Sequence, residues 1–278
     1  MFPGTAMSNQ LNHRILRTFV GGFAWPTVAL AVGTWSAFFA SCYMFQSGLI
    51  HPALLTLIAV VCNFYSFSVF HEAAHENIEG KSRGGWLTTM LGWVGGAMFM
   101  APFDAVRRIH LTHHQYTNDP SRDPDHWVAG SNPIAVVLRC LTIYPNYLFH
   151  FIFRAGAPRG EFVKSLSVLV AYWAIAIGAL FTTYSDISLY GFIIPTFLGT
   201  GVTALLFDWL PHHPHQETSP VSNTRNFPSS VLTVLLAGQN VHGVHHLNPR
   251  IPFHRYQRAY DAAIAPMPQT GSGDKKSA

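Results

Sequence analysis

"AWPTVALAVGTWSAFFASCYMFQSGLIHPALLTLIAVVCNFYSFSVFHEAAH", residues 24–75, decides the fold. Residues 24–46 and 52–70 are apolar and free of Lys, Arg, Asp and Glu. Each comes close to the ~20 residues a helix needs to cross a bilayer. The connection "QSGLIHP" is so short that the two spans must form an antiparallel hairpin. The stretch closes on "HEAAH" (71–75), where the second span leaves the membrane. H-x-x-x-H on a helix sets two imidazoles one turn apart on one face.

The same arrangement recurs downstream. Residues 165–184 ("SLSVLVAYWAIAIGALFTTY") and 188–210 are joined through "SDI", and "LPHHPH" (210–215) follows. The expected fold is therefore all-α and integral to the membrane. Four transmembrane helices form two hairpins, and a cytoplasmic helical cap carries the histidine-rich, di-metal site, all in one domain over 1–278. Composition agrees: 11% of the 278 residues are charged, against about 25% in soluble domains, and the mean hydropathy is +0.21. A fifth apolar stretch, 86–103, contains Gly92, Gly95 and Gly96 and is expected to be re-entrant or interfacial. Residues 134–153 suggest an aromatic-rich helix lying on the membrane surface, and 266–278 a disordered tail. Cys42, Cys62 and Cys140 are scattered through apolar segments and suit buried thiols, not a disulfide framework.

Charge orients the spans. Two basic residues lie in 1–20, nine in 71–164 and six in 211–278, which accounts for all seventeen Lys and Arg. The spans and the two short loops have none. The positive-inside rule then places the termini and the large loops in the cytoplasm. The net charge of +4 needs no nucleic acid to explain it. The first apolar segment starts late and is full length, so no cleavable signal peptide is expected.

All the clustered histidines fall on that side: "HEAAH", "HLTHH" (110–114), "LPHHPH" and "HGVHH" (242–246). In H-x-x-H-H the first and third rings share a helical face, with the middle one beside them. His71, His75, His110, His113, His114, His242, His245 and His246 make eight candidate ligands. These are too many for one ion, so two ions are expected. Imidazole suits iron, zinc, copper and nickel alike. Isolated histidines such as His13, His51, His126, His150 and His254 suit surface or locally hydrogen-bonded roles. Ligating imidazoles donate their second N–H to a carboxylate or carbonyl. That offers supporting roles to Glu72, Asn118, Asp119, Asp123 and Asp125, unless the "TNDPSRDPD" loop uses them only to cap turns. Asp208, at the end of an apolar span, and Asn240, beside the last box, are the candidate catalytic groups; an ionisable residue in a span is a functional hypothesis by default. A histidine-lined metal transporter would need a polar path through the spans, which are nearly uncharged.

The three boxes in order, with two transmembrane hairpins, resemble the membrane fatty acid desaturase superfamily over about residues 60–262. "HLTHHQYTNDPSRDPDHW" (110–127), "GQNVHGVHHLNPRIPFHRYQRAY" (238–260) and "LLFDWLP" (205–211) are similar to bacterial and cyanobacterial carotenoid ring hydroxylases of that superfamily. The resemblance implies two non-haem iron ions held by the eight box histidines, O2 as co-substrate, and attack on an unactivated C–H bond of a long lipid. The implied substrate is a carotenoid, with a fatty acyl chain as the alternative. By the same resemblance His212 is a ninth ligand and Asp208 stands where stearoyl-type desaturases have a water-holding asparagine. His213 and His215 are rivals to His212. The chain lacks a C-x-x-C-H haem motif or an iron–sulfur cysteine pattern. A separate electron donor such as ferredoxin, and a bacterial inner-membrane location, are implied.

Overall fold

The structure is a computed structural model and describes residues 13–80 and 84–265; the expected tail over 266–278 lies outside them. The helices are α1 (Trp25–Gln46), α2 (Pro52–Ala74), α3 (Trp86–Met98), α4 (Phe103–Tyr116), α5 (Pro133–Leu141), α6 (Ile143–Phe153) and α7 (Arg159–Ala179). Then come α8 (Ile187–His212) and the short α9 (Ser230–Leu235), α10 (His242–Leu247) and α11 (Tyr256–Ala263). No strand occurs among the described residues. Helices α1, α2, α7 and α8 are long and apolar enough to cross a membrane.

Local chemistry sets the ends of these helices. Proline opens α1, α2 and α5, where a missing N–H costs nothing. His51 caps α2, its Nδ1 accepting from the Ala53 N–H at 3.2 Å, which gives this isolated histidine a purely local role. Helix α2 runs four residues past the expected end, so "HEAAH" lies on its last turn, and the chain leaves through Glu76 at φ +57°. Helix α7 starts six residues earlier than expected, at Arg159. Its polar first turns are tied to α4: Arg108 grips Glu161 with two 2.6 Å bonds, and Lys164 reaches Asp104 at 2.8 Å.

The glycines of α3 serve close packing. A Cβ on Gly95 would lie 2.9 Å from the Phe70 backbone nitrogen, so α3 rests backbone to backbone on α2. Phe70 then meets Phe99 and Phe103 edge to face at 5.6 and 5.4 Å, forming the core beneath the histidines. The stretch 134–153 is not one flat helix but the α5–α6 pair, bent by 57° at Thr142. Its elbow tucks against α8 at Gly201, where an added Cβ would stand 3.0 Å from Leu141. Segments Ile187–Ile193 and Ala204–Trp209 of α8 are wound as π-helix, a winding frequent at functional sites.

Candidate metal centre

Four segments deliver imidazoles to one place. The last turn of α2 brings His71 and His75, α4 brings His110, His113 and His114, the end of α8 brings His212, and α10 brings His242, His245 and His246. They sort into two groups, His71, His75, His110, His114 and His245, and His113, His212, His242 and His246. Within each group the candidate ligand atoms lie within 4.8 Å of one another. The groups adjoin, with the His114 and His246 rings stacked at 4.5 Å.

The boxes do not each serve one point. His110 and His114 join the first group while His113, between them, joins the second; His242 and His246 join the second and His245 the first. At 3.6 residues per turn the i+3 and i+4 positions diverge by about 100°. Two sites side by side take one ring each from that divergence.

The second ring nitrogens are held from outside. In the second group His113 Nδ1 faces Asp123 Oδ1 at 2.9 Å and Asp125 Oδ2 at 3.2 Å. His242 Nδ1 faces Gln239 Oε1 at 2.7 Å, and His212 Nδ1 faces the Asn223 carbonyl at 3.1 Å. His246 Nδ1 lies 3.4 Å from Thr117 Oγ1, whose own proton goes to the His113 carbonyl. Every one of these partners must accept, so all four Nδ1 atoms carry hydrogen and all four Nε2 lone pairs turn inward. His246 Nε2 stands 3.1 Å from His242 Nε2 and 3.4 Å from His113 Nε2. Lone pairs that converge this closely need a cation between them, and the donor set therefore fits a metal ion. In the first group Nε2–Nε2 separations are 2.7 Å for His75–His110, 2.8 Å for His114–His245 and 3.0 Å for His71–His245. Tyr256 Oη holds His245 Nδ1 at 2.9 Å.

Protonation agrees. Burial, with Arg107 and Arg250 nearby, pulls His75 down to about 3. Burial and the neighbouring His113 and His75 do the same to His242. These rings stay neutral at ordinary pH, as ligands must. His113 differs: burial pulls it down, but Asp123 and Asp125 outweigh that and raise it to about 10. A metal ion held by this group would take the place of that extra proton.

The other sequence-derived candidates divide. Asp123 and Asp125 orient His113, and Asp125 also accepts from Tyr147 at 2.6 Å. Asp208 lines a small cavity with His71, His113 and His242, and its Oδ2 lies 3.3 Å from the Tyr147 hydroxyl oxygen. Asn118 supports at one remove, donating to the carbonyls of Glu217 and Asn223. Asp119 caps its own turn and pairs with Arg122 at 2.5 Å, touching no imidazole. Glu72 accepts from the Phe253 N–H and from Asn77, anchoring the C-terminal segment to α2. Asn240 donates to the carbonyls of Phe227 and Ser229, so it shapes the loop before α10. Of the rivals to His212, His213 packs on Trp209 and His215 faces His126. Sequence reasoning passed over Thr117, Gln239, Tyr147 and Tyr256. The first two stand one helical turn from a box histidine, a detectable spacing; Tyr256 is eleven residues from His245 and Tyr147 twenty-two from Asp125, separations that give no such signal.

The cavity beside the histidines shares Phe67, Val106, Ile109, Tyr147 and Asp208 with an apolar cleft lined further by Phe99, Tyr144 and Phe151. Residues 47–273 match the sequence profile described as Fatty acid desaturase. The chain belongs to the fatty acid desaturase family. It is also similar to the sn-1 oleoyl-lipid 12-desaturase of Picosynechococcus sp., 24% identical over 267 residues, covering 85% of this chain and 75% of that protein. This desaturase-family chain is thus a membrane-integral oxidoreductase with a lipid desaturase or oxygenase type of function. A di-iron centre suits both the family and the two imidazole groups.

Proposed function

We propose that the protein is an O2-dependent di-iron enzyme that hydroxylates a ring carbon of a carotenoid. The observation that carries the reaction class is the apolar cleft that adjoins the cavity of the paired imidazole groups at Phe67, Val106, Ile109, Tyr147 and Asp208. No side chain is basic enough to deprotonate an alkyl carbon, so a C–H bond presented there must be oxidised. The balance is C–H plus O2, two electrons and two protons, giving C–OH and water. His71, His75, His110, His114 and His245 would hold one iron and His113, His212, His242 and His246 the other, and the pair would supply the capacity to activate O2 for hydrogen abstraction. Asp123, Asp125, Gln239, Thr117 and the Asn223 carbonyl keep the rings turned inward. Tyr147, between Asp125 and Asp208, holds a proton at the junction of cleft and metal centre. The phenylalanines exclude water from it.

The carotenoid assignment rests on the likeness of 110–127 and 238–260 to ring hydroxylases. The electrons come from a separate one-electron carrier such as ferredoxin, and the one-sided Lys and Arg favour a bacterial inner membrane with the centre and termini in the cytoplasm. A second reading, acyl-lipid desaturation, is favoured by the similarity to the oleoyl-lipid desaturase. Expression in a β-carotene-producing bacterium, with carotenoids and fatty acids both analysed, separates the two. Hydroxylated carotenoid with an unchanged acyl profile is the expected result. New acyl double bonds with unchanged carotenoid would overturn it in favour of the second reading.

A further inference from the structure

A second cleft, of about 430 Å³, lies on the other side of α6 from the apolar one. Helix α6 is two-faced: Tyr144, Tyr147 and Phe151 wall the apolar cleft, while Asn146 and Phe149, on the opposite stripe, and Arg154, just past the helix end, wall this one. Arg122, Arg139 and Arg154 line it, with Trp127 and Phe149. Its one carboxylate, Asp123, is engaged by His113 and by the Asn118 and Asp125 N–H groups. Arg122 leans on Asp119, but Arg139 and Arg154 are in no ion pair among the described residues. Arg139 donates only to the Ala129 carbonyl, and Arg154 lies over the Phe149 ring.

The setting says what kind of anion this is. Helices α5 and α6 carry exposed apolar side chains next to those arginines, with Ile134 73% and Phe153 70% exposed. In an integral membrane protein such surfaces face acyl chains, and Trp127 and Phe149 at the cleft suit the headgroup level where aromatic rings gather. Guanidinium forks match phosphate oxygens geometrically. A concave, half-apolar, basic cleft at that level fits a lipid headgroup better than the broad face of a protein. We propose that this cleft binds the phosphate headgroup of an anionic phospholipid, separate from the substrate cleft and divided from it by α6. Since Asp123 forms part of its wall and holds His113, the bound headgroup stands behind the second imidazole group.

Native mass spectrometry of the purified full-length protein tests this. Phosphatidylglycerol and phosphatidylcholine with identical acyl chains compete in mixed micelles, with Arg139→Gln/Arg154→Gln measured alongside. The wild type is expected to retain phosphatidylglycerol about tenfold over phosphatidylcholine, and the double variant to retain both about equally. Should the double variant not accumulate, Arg154→Gln alone, an exposed side chain, is expected to shift the ratio in the same direction. Millimolar inorganic phosphate should leave the retained lipid in place; its displacement would mean that free phosphate is the ligand, and would overturn the lipid assignment. No lipid preference in the wild type, or an undiminished one in the variants, also overturns it. So does a raised KM for a reduced acidic electron-carrier protein with lipid retention unchanged, which would make the cleft a protein-docking surface. None of these readouts depends on the identity of the substrate.

Discussion

Asp123→Asn separates the two imidazole groups more cleanly than loss of any ligand. Three donors converge on the two oxygens of this buried carboxylate. Oδ1 takes the His113 Nδ1–H and the Asp125 N–H, both at 2.9 Å, and Oδ2 takes the Asn118 N–H at 2.7 Å. Asparagine keeps the shape but has one oxygen. If that oxygen faces His113, the amide NH2 meets the Asn118 N–H; flipped, it meets the His113 N–H. Either way at least one buried donor is left unsatisfied, at a cost of about 1–3 kcal/mol for each. Loss of such a partner lowers metal affinity by about 10–100-fold, or about 1.4–2.7 kcal/mol, which is the same size. The loss should be confined to the group of His113, because none of the five imidazoles of the other group bonds to Asp123. The assay is iron per chain during chelator titration of the iron-loaded protein. One ion should leave at about 10–100-fold lower chelator than in the wild type, and the other at the wild-type concentration. Both ions held as in the wild type, or both lost together, would refute the division into two sites.

Further outcomes follow from the same geometry. His212→Ala should cost one of the two metal ions, whereas His213→Ala and His215→Ala should leave both, as read by metal analysis. The metal-stripped protein should show a thermal midpoint that is highest near pH 6.5. His75 and His242, depressed to about 3, contribute stability present above 6.5 and lost as pH falls towards 3; His113, raised to about 10, contributes stability present below 6.5 and lost as pH rises through 10. Gly95→Ala, whose Cβ would press on the Phe70 backbone, should destabilise the fold by about 1–3 kcal/mol, measured by thermal or denaturant unfolding. Single cysteines at Ser47 and Thr183, in the two hairpin loops, should react with an impermeant thiol reagent from one side of the membrane only. Cysteines at Ser121 and Ser219 should react only from the other; labelling of Ser121 and Ser219 from opposite sides would break the shared centre.

The sequence by itself determined the class of fold and the inventory of candidate ligands. Uncharged runs of span length, one-sided Lys and Arg, and imidazoles at helical spacing are local properties, legible without knowing what packs on what. Eight of the nine clustered imidazoles and the two useful carboxylates, Asp123 and Asp125, were visible in this way, and His212 through resemblance. The tertiary structure alone decided how those rings are shared out. Whether His113 sides with His110 or with His242 depends on where α10 and the end of α8 come to rest against α4. It also separated Asp119 and Asn240, which hold their own loops, from Tyr147 and Tyr256, which reach the centre from other helices, α6 and α11. A side chain's hydrogen-bonding capacity is written in its residue type, but which group a ring joins is set by packing between segments more than a hundred residues apart, as for His113 with His246 and His71 with His245.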